Sequence, residues 1–133
     1  MRIVVGFDGS DHGQRALERA ADMAGQGDQI VVVAASELHA RTGITEGARL
    51  DPSTAQHRHE AVDNARAFLS ERGIDAEIVE AEGDPGNAIV EAAKGADLII
   101  VGTRGLNPMQ RILLGSVSSK VVHRAECDVL VIR

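Results

Sequence analysis

Short runs of β-branched residues alternate along the chain with longer stretches in which alanine and leucine recur every three or four positions. The runs Arg2–Phe7, Gln29–Ala34, Ala76–Ala81, Leu98–Gly102 and Val129–Ile132 predict strands. Ile30-Val31-Val32-Val33 and Leu98-Ile99-Ile100-Val101 are apolar without interruption. Loss of alternation is the mark of a strand buried on both faces, as in a parallel sheet covered by helices on each side.

The stretches between the strands carry helix start and stop signals. Ser10 predicts a cap for a first helix whose Ala16, Leu17, Ala20, Ala21 and Ala24 share one face. Ser53 and Gln56 form a candidate capping box for a second helix, with Ala61, Val62, Ala65, Phe68 and Leu69 inward and Gly73 at its end. Asp84-Pro85 reads as a cap followed by proline at the first helical position, opening a third helix through Lys94 with Gly95 as its stop. A fourth helix is expected from Gly115-Ser116 to about His123.

The resulting order, β-α-β-α-β-α-β-α-β, implies an α/β fold: an open parallel five-stranded sheet with helices on both faces, doubly wound. Right-handed crossovers leave strand order as the main freedom. Ser36 to Pro52 is the one long irregular stretch, of the length at which loops tend to be functional lids or mobile.

A length of 133 residues fits one domain spanning 1–133 with one hydrophobic core. The composition, 44% apolar and 26% charged, is that of an ordinary globular protein. A formal net charge of −6 argues against a nucleic-acid or anionic-membrane surface, either of which needs a clustered basic face. With Phe7 and Phe68 as the only aromatics, base stacking on an aromatic platform is not expected. Cys127 is the single cysteine, so a reducing, cytoplasmic compartment is the natural one. The opening run Ile3–Phe7 is too short for a signal peptide or a membrane span.

The strongest chemical signal follows the fourth strand: Gly102-Thr103-Arg104-Gly105, nine residues from Leu106 to Leu114, then Gly115-Ser116-Val117-Ser118. Gly102 ends a buried strand, where a Cβ would hinder the close approach of a ligand. Gly105 permits a tight loop. Gly115 and Ser116 stand where a helix starts, with unpaired amides and the positive end of the dipole facing an anion. The hydroxyls of Ser116 and Ser118 are further candidate phosphate donors.

At this point the chain resembles the ATP-binding branch of the universal stress protein family, over essentially its whole length. The residues that carry the likeness are Ile3-Val4-Val5-Gly6-Phe7-Asp8-Gly9-Ser10, Gly83-Asp84-Pro85, Ala96 through Gly105, Leu113-Leu114-Gly115-Ser116-Val117 and Cys127 through Ile132. The resemblance implies a Rossmann-like sheet of the adenine nucleotide alpha hydrolase type, in the order 3-2-1-4-5. Strands 1 and 4 are then neighbours whose connections leave in opposite directions, the place where ligands bind in open α/β sheets. It also implies a nucleotide site: Gly6, Phe7 and Asp8 after strand 1, Ala35 at the adenine edge, Val101, Gly102 and Gly105 along the ribose and loop, and Gly115, Ser116, Val117 and Ser118 at the phosphates. A homodimer through the C-terminal strand is implied as well. The family often has proline followed by threonine or valine where this chain has Gly6-Phe7, so Phe7 is expected to narrow or reshape the adenine pocket.

Other candidates are weaker. Asp8 is read as a ligand-facing carboxylate, bonding base or ribose or holding Mg²⁺ through water, against the alternative of a turn residue bonding its own backbone. Arg104 and Arg111 could clamp phosphate, although an exposed loop arginine is commoner. His57 and His59 point about 200° apart on a helix and cannot share an ion, so no metal site is expected. His12, His39 and His123 lack partner spacing, and nothing near Cys127 suggests a reactive thiol. No lysine stands in a Walker A context, and no general base or metal carboxylates are evident, so catalytic residues are not assigned and hydrolysis is expected to be slow at most. The expectation is therefore an adenine-nucleotide sensor or switch for ATP, with or without Mg²⁺, in which binding orders Arg104–Leu114 for a protein partner. The alternatives are a nucleotide-independent dimeric scaffold and a binder of AMP or cyclic AMP.

Overall fold

The computed structural model describes residues 1–36, 52–103 and 114–133. Five strands and four helices alternate: β1 (Arg2–Gly6), α1 (Asp11–Met23), β2 (Gln29–Ser36), α2 (Pro52–Glu71), β3 (Ala76–Glu82), α3 (Pro85–Ala92), β4 (Leu98–Gly102), α4 (Ser116–Arg124) and β5 (Asp128–Ile132). The strands form one parallel sheet in the order β3-β2-β1-β4-β5. Both uninterrupted apolar runs lie in its middle: Ile30, Val31, Val32, Val33, Ile99, Ile100 and Val101 are all buried.

The strand order divides the helices between the faces. The crossovers that step from β1 through β2 to β3 place α1 and α2 on one face, where Ala16, Leu17, Ala20, Ala61, Ala65 and Leu69 meet Ile3, Val5, Ile30 and Val32. The crossovers that run the other way place α3 and α4 on the opposite face, where Ile89, Ala93 and Val121 meet Val4, Val31, Ile99 and Val101. The winding reverses between β1 and β4, which pair directly, Val5 opposite Ile100. At the carboxyl ends of these two strands the chain leaves toward opposite faces and opens a crevice.

The helix ends follow local chemistry, with two departures from expectation. Ser10 caps α1 as expected, accepting the Gly13 amide at 3.1 Å. Asp84 caps α3 through the Asn87 amide at 3.0 Å, with Pro85 at the first helical position. Gly73, at φ +71, supplies the left-handed residue after α2. α2 begins at Pro52, so Ser53, expected at the cap, lies inside its first turn; proline, whose fixed φ suits the first helical position, stands at the start instead. α3 stops at Ala92, two residues short of Lys94, and Gly95 at φ +77 turns the chain toward β4.

The Ser10 cap is nearly enclosed, and its hydroxyl works in both directions: it accepts from Gly13 and donates to Asp8. Ser10→Ala is expected to lower the unfolding free energy by about 1–2 kcal/mol. Urea denaturation followed by circular dichroism measures this, and an unchanged midpoint contradicts the cap.

Candidate functional site

Four chain segments reach the carboxyl side of the sheet around the point where the winding reverses. Gly6 and Asp8 come from the end of β1, Ala35 from the end of β2, Gly102 and Thr103 from the end of β4, and Gly115 to Ser118 from the start of α4. The two stretches of the glycine motif that the structure describes meet directly: the Gly115 amide donates to the Thr103 carbonyl at 2.6 Å. Gly105, Arg104 and Arg111 lie outside the described residues, as do residues 37–51 of the long irregular stretch.

Gly115 has no side chain with which to cap α4, and among the described residues no side-chain bond takes its place. The first intrahelical bond runs from the Ser119 amide to the Gly115 carbonyl at 2.9 Å. Among the described residues the amides of Ser116, Val117 and Ser118 have no backbone partner and are donors for an anion, reinforced by the positive end of the helix dipole. Gly115 itself was expected among those donors, but its amide is engaged by Thr103. The hydroxyl of Ser118 departs from expectation more sharply. It is buried and bonds the carbonyls of Thr103 and Gly115, each at 3.2 Å, so it braces the turn and does not face a ligand. Ser116 is exposed and Val117 packs at the margin of the α3–α4 core.

Asp8 adopts the turn geometry that was the lesser expectation. Its Oδ1 accepts from both the amide and the hydroxyl of Ser10, so one face of the carboxylate is used in shaping the β1–α1 turn. The side chain remains exposed at the crevice. Gly13 makes this turn possible: a Cβ there would stand 2.8 Å from Asp8 Oδ1. Phe7 was expected to shape the adenine pocket, yet its ring is buried in the core beneath α1 and α2, because alternation along β1 sends it to the same face as Ile3 and Val5. What Phe7 offers at the strand end is backbone, and its amide is already bonded to the Val33 carbonyl at 3.0 Å.

Gly102 serves a purpose other than ligand approach. A Cβ at this position would come within 2.7–2.9 Å of the Cβ, carbonyl carbon and oxygen of His12, so its bareness admits the start of α1 against the end of β4. Gly6 sits beside Val101 and Ile89, where a Cβ would come 3.1 Å from Val101 Cγ1 and 2.6 Å from Ile89 Cδ1. Val101 is buried in the core on the α3–α4 side, and Ala35, half-buried, pairs with Ala81.

Sequence reasoning passed over His12. Its Nδ1 lies 3.1 Å from the hydroxyl of Thr103, a partner 91 residues away that no local spacing could reveal. Lys120 Nζ of α4 pairs with Asp84 at 2.6 Å across the α3–α4 interface. Among the described residues no His, Cys, Asp and Glu group could hold a metal ion. His59 instead bonds Glu80 at 2.9 Å on the far edge of the sheet. Burial, with Asp128 adding to it, pushes the Cys127 thiol above its usual range, the opposite of an activated nucleophile.

The close contact at Gly102 is directly testable. Gly102→Ala is expected to cost about 1–3 kcal/mol by overpacking against helix backbone that cannot swing aside. Thermal unfolding measures it, and an unshifted midpoint would show that α1 yields without strain.

The model of the universal stress protein family matches residues 1–133. A universal stress protein of Thermus aquaticus is 36% identical over 138 residues, covering 98% of this chain and 97% of its own length. A universal stress protein solved in complex with cAMP is 29% identical, with a TM-score of 0.74 over 100% of this chain and 97% of the other. A universal stress protein family protein from Arabidopsis thaliana, with AMP bound, shares the fold at a TM-score of 0.71 and 21% identity, over 99% of this chain and 90% of its own.

Proposed function

The chain belongs to the universal stress protein family, and we propose that it binds an adenine nucleotide, ATP, in the crevice beyond β1 and β4 and acts through binding more than through turnover. The observation that carries this reading is the uncapped start of α4, tied by the Gly115–Thr103 bond to the end of β4 at the point where the winding reverses. In this reading the amides of Ser116, Val117 and Ser118 hold the phosphates. The backbone of Gly6, Phe7, Asp8 and Ala35 meets the base, and Val101, Gly102 and Gly105 line the ribose and loop. The exposed carboxylate of Asp8 is the group that could reach Mg²⁺ through water.

The relative in complex with cAMP, 29% identical, favours a second reading in which the resident nucleotide is a monophosphate. Mass spectrometry of what co-purifies with the freshly prepared protein separates the two: ATP supports the first, AMP or cyclic AMP the second, and no nucleotide counts against both. Gly115→Val is expected to abolish ATP binding measured by calorimetry while leaving the fold intact. Gly115 has φ −70° and ψ 171°, an extended conformation open to any residue, so the new side chain obstructs the phosphate space without straining the backbone. Unchanged affinity in that variant removes the cradle from the proposal.

Homodimerisation through β5 and a cytoplasmic location complete the proposal. Among the described residues β5 pairs with β4 alone, and Val129, Leu130, Val131 and Ile132 are each partly covered. Edge pairing about a two-fold axis would cover them. Among the described residues no helix is long and apolar enough to cross a membrane. Leu130→Pro is expected to yield monomers or aggregates in size-exclusion chromatography with light scattering. A monomeric wild type, or an unperturbed dimer in the variant, excludes this interface.

A further inference from the structure

Thr103 is held from three sides. Its amide donates to the Ile132 carbonyl of β5 at 2.7 Å, its hydroxyl meets His12 Nδ1 of α1 at 3.1 Å, and its carbonyl receives the Gly115 amide of α4 at 2.6 Å. The Ser118 hydroxyl reaches the same carbonyl at 3.2 Å. The residue is buried, so these bonds are shielded from competing water. Gly102, by admitting the backbone of His12, brings the imidazole within reach of Thr103.

We propose that His12 is a positioning residue for the nucleotide site, acting through Thr103 to fix the direction of the open amides of α4. This rests on the reading of that helix start as the phosphate site. The physical reasoning concerns which degrees of freedom remain. With its hydroxyl fastened to α1 and its amide to β5, Thr103 keeps one side-chain rotamer and one orientation of the peptide plane that enters it, so its Cα is anchored and its carbonyl turns only about ψ. The bonds from Gly115 and Ser118 hold that last torsion, and the anchored Cα decides where they find their acceptor. Remove the imidazole and the side-chain anchor is lost. The Thr103–Gly115 bond is then set by backbone alone, and the amides beyond it sample more directions than one anion can satisfy. Preorganised donors bind better because less ordering remains to be done on binding. The imidazole can fill this role in either neutral tautomer, since a hydroxyl both donates and accepts. His12 touches no nucleotide in this scheme.

The test compares wild type with His12→Ala and His12→Asn. Asparagine places a polar atom close to where Nδ1 stands and can restore the bond to Thr103. The first measurement needs no nucleotide: hydrogen exchange at the Gly115 amide, read by NMR. His12→Ala is expected to accelerate it about fivefold, the weight of one neutral hydrogen bond, and His12→Asn to return it close to wild type. The second is calorimetric titration with ATP, where His12→Ala is expected to weaken binding about fivefold and His12→Asn to recover it. A His12→Ala protein with wild-type exchange at Gly115 overturns the proposal whatever its affinity. Faster exchange with unchanged ATP affinity also overturns it, because the brace would then be structural only. A wild type that binds no ATP sinks the nucleotide reading itself, and the exchange measurement still separates that failure from a failure of the brace.

Discussion

The carbonyl oxygen of Thr103 accepts the Gly115 amide, and through that one bond the end of a central strand and the start of a helix on the outer face become a single rigid corner. A helix start is a weak anion site when it floats on a loop, because the donors must be ordered as the ligand binds. Here the strand holds it. β4 is hydrogen-bonded on both sides, to β1 and to β5, and its residues Ile99, Ile100 and Val101 are buried, so the corner inherits the stiffness of the sheet centre. The same bond withdraws the Gly115 amide from the pool of available donors and leaves, among the described residues, those of Ser116, Val117 and Ser118.

The second constraint is the closeness of α1. Strand-to-helix connections in parallel sheets bring helix backbone near a neighbouring strand only where side chains allow it. Around α1, Gly102 on the strand and Gly13 on the helix are two places where this chain gives way. Gly13 leaves room for the Asp8 carboxylate to close the β1–α1 turn. Gly102 lets His12 settle on the strand end. The His12 backbone, unlike a flexible side-chain end, cannot rotate out of the way, so the contact at Gly102 fixes α1 against the end of β4.

The two edges of the sheet differ in chemistry. β3 carries Glu77, Glu80 and Glu82, with Arg58 and His59 of α2 paired to the last two of these glutamates or to one of them. Charge of this kind discourages another strand from adding on, although each exposed pair contributes little to stability. β5 carries valine, leucine and isoleucine, each partly covered. Among the described residues one edge is charged and the other apolar, an asymmetry in line with the proposed association through β5.

The strand and helix alternation, the parallel sheet and the inward residues of α1 and α2 were all legible in the chain, because burial on both faces or on one helical face is written as local periodicity. The caps at Ser10 and Asp84 were legible for the same reason: each acts on amides within three residues. Strand order came from resemblance, and periodicity alone left it open. Local pattern could not assign Ser118 to the interior or Gly102 to a helix contact, whereas alternation along β1 by itself groups Phe7 with Ile3 and Val5. Whether a hydroxyl faces a ligand or a carbonyl, and whether a missing Cβ admits a ligand or a neighbouring helix, depends on what the fold places opposite. His12 was invisible for that reason. Its partner is Thr103, and only the pairing of β1 with β4 beneath α1 makes the two neighbours.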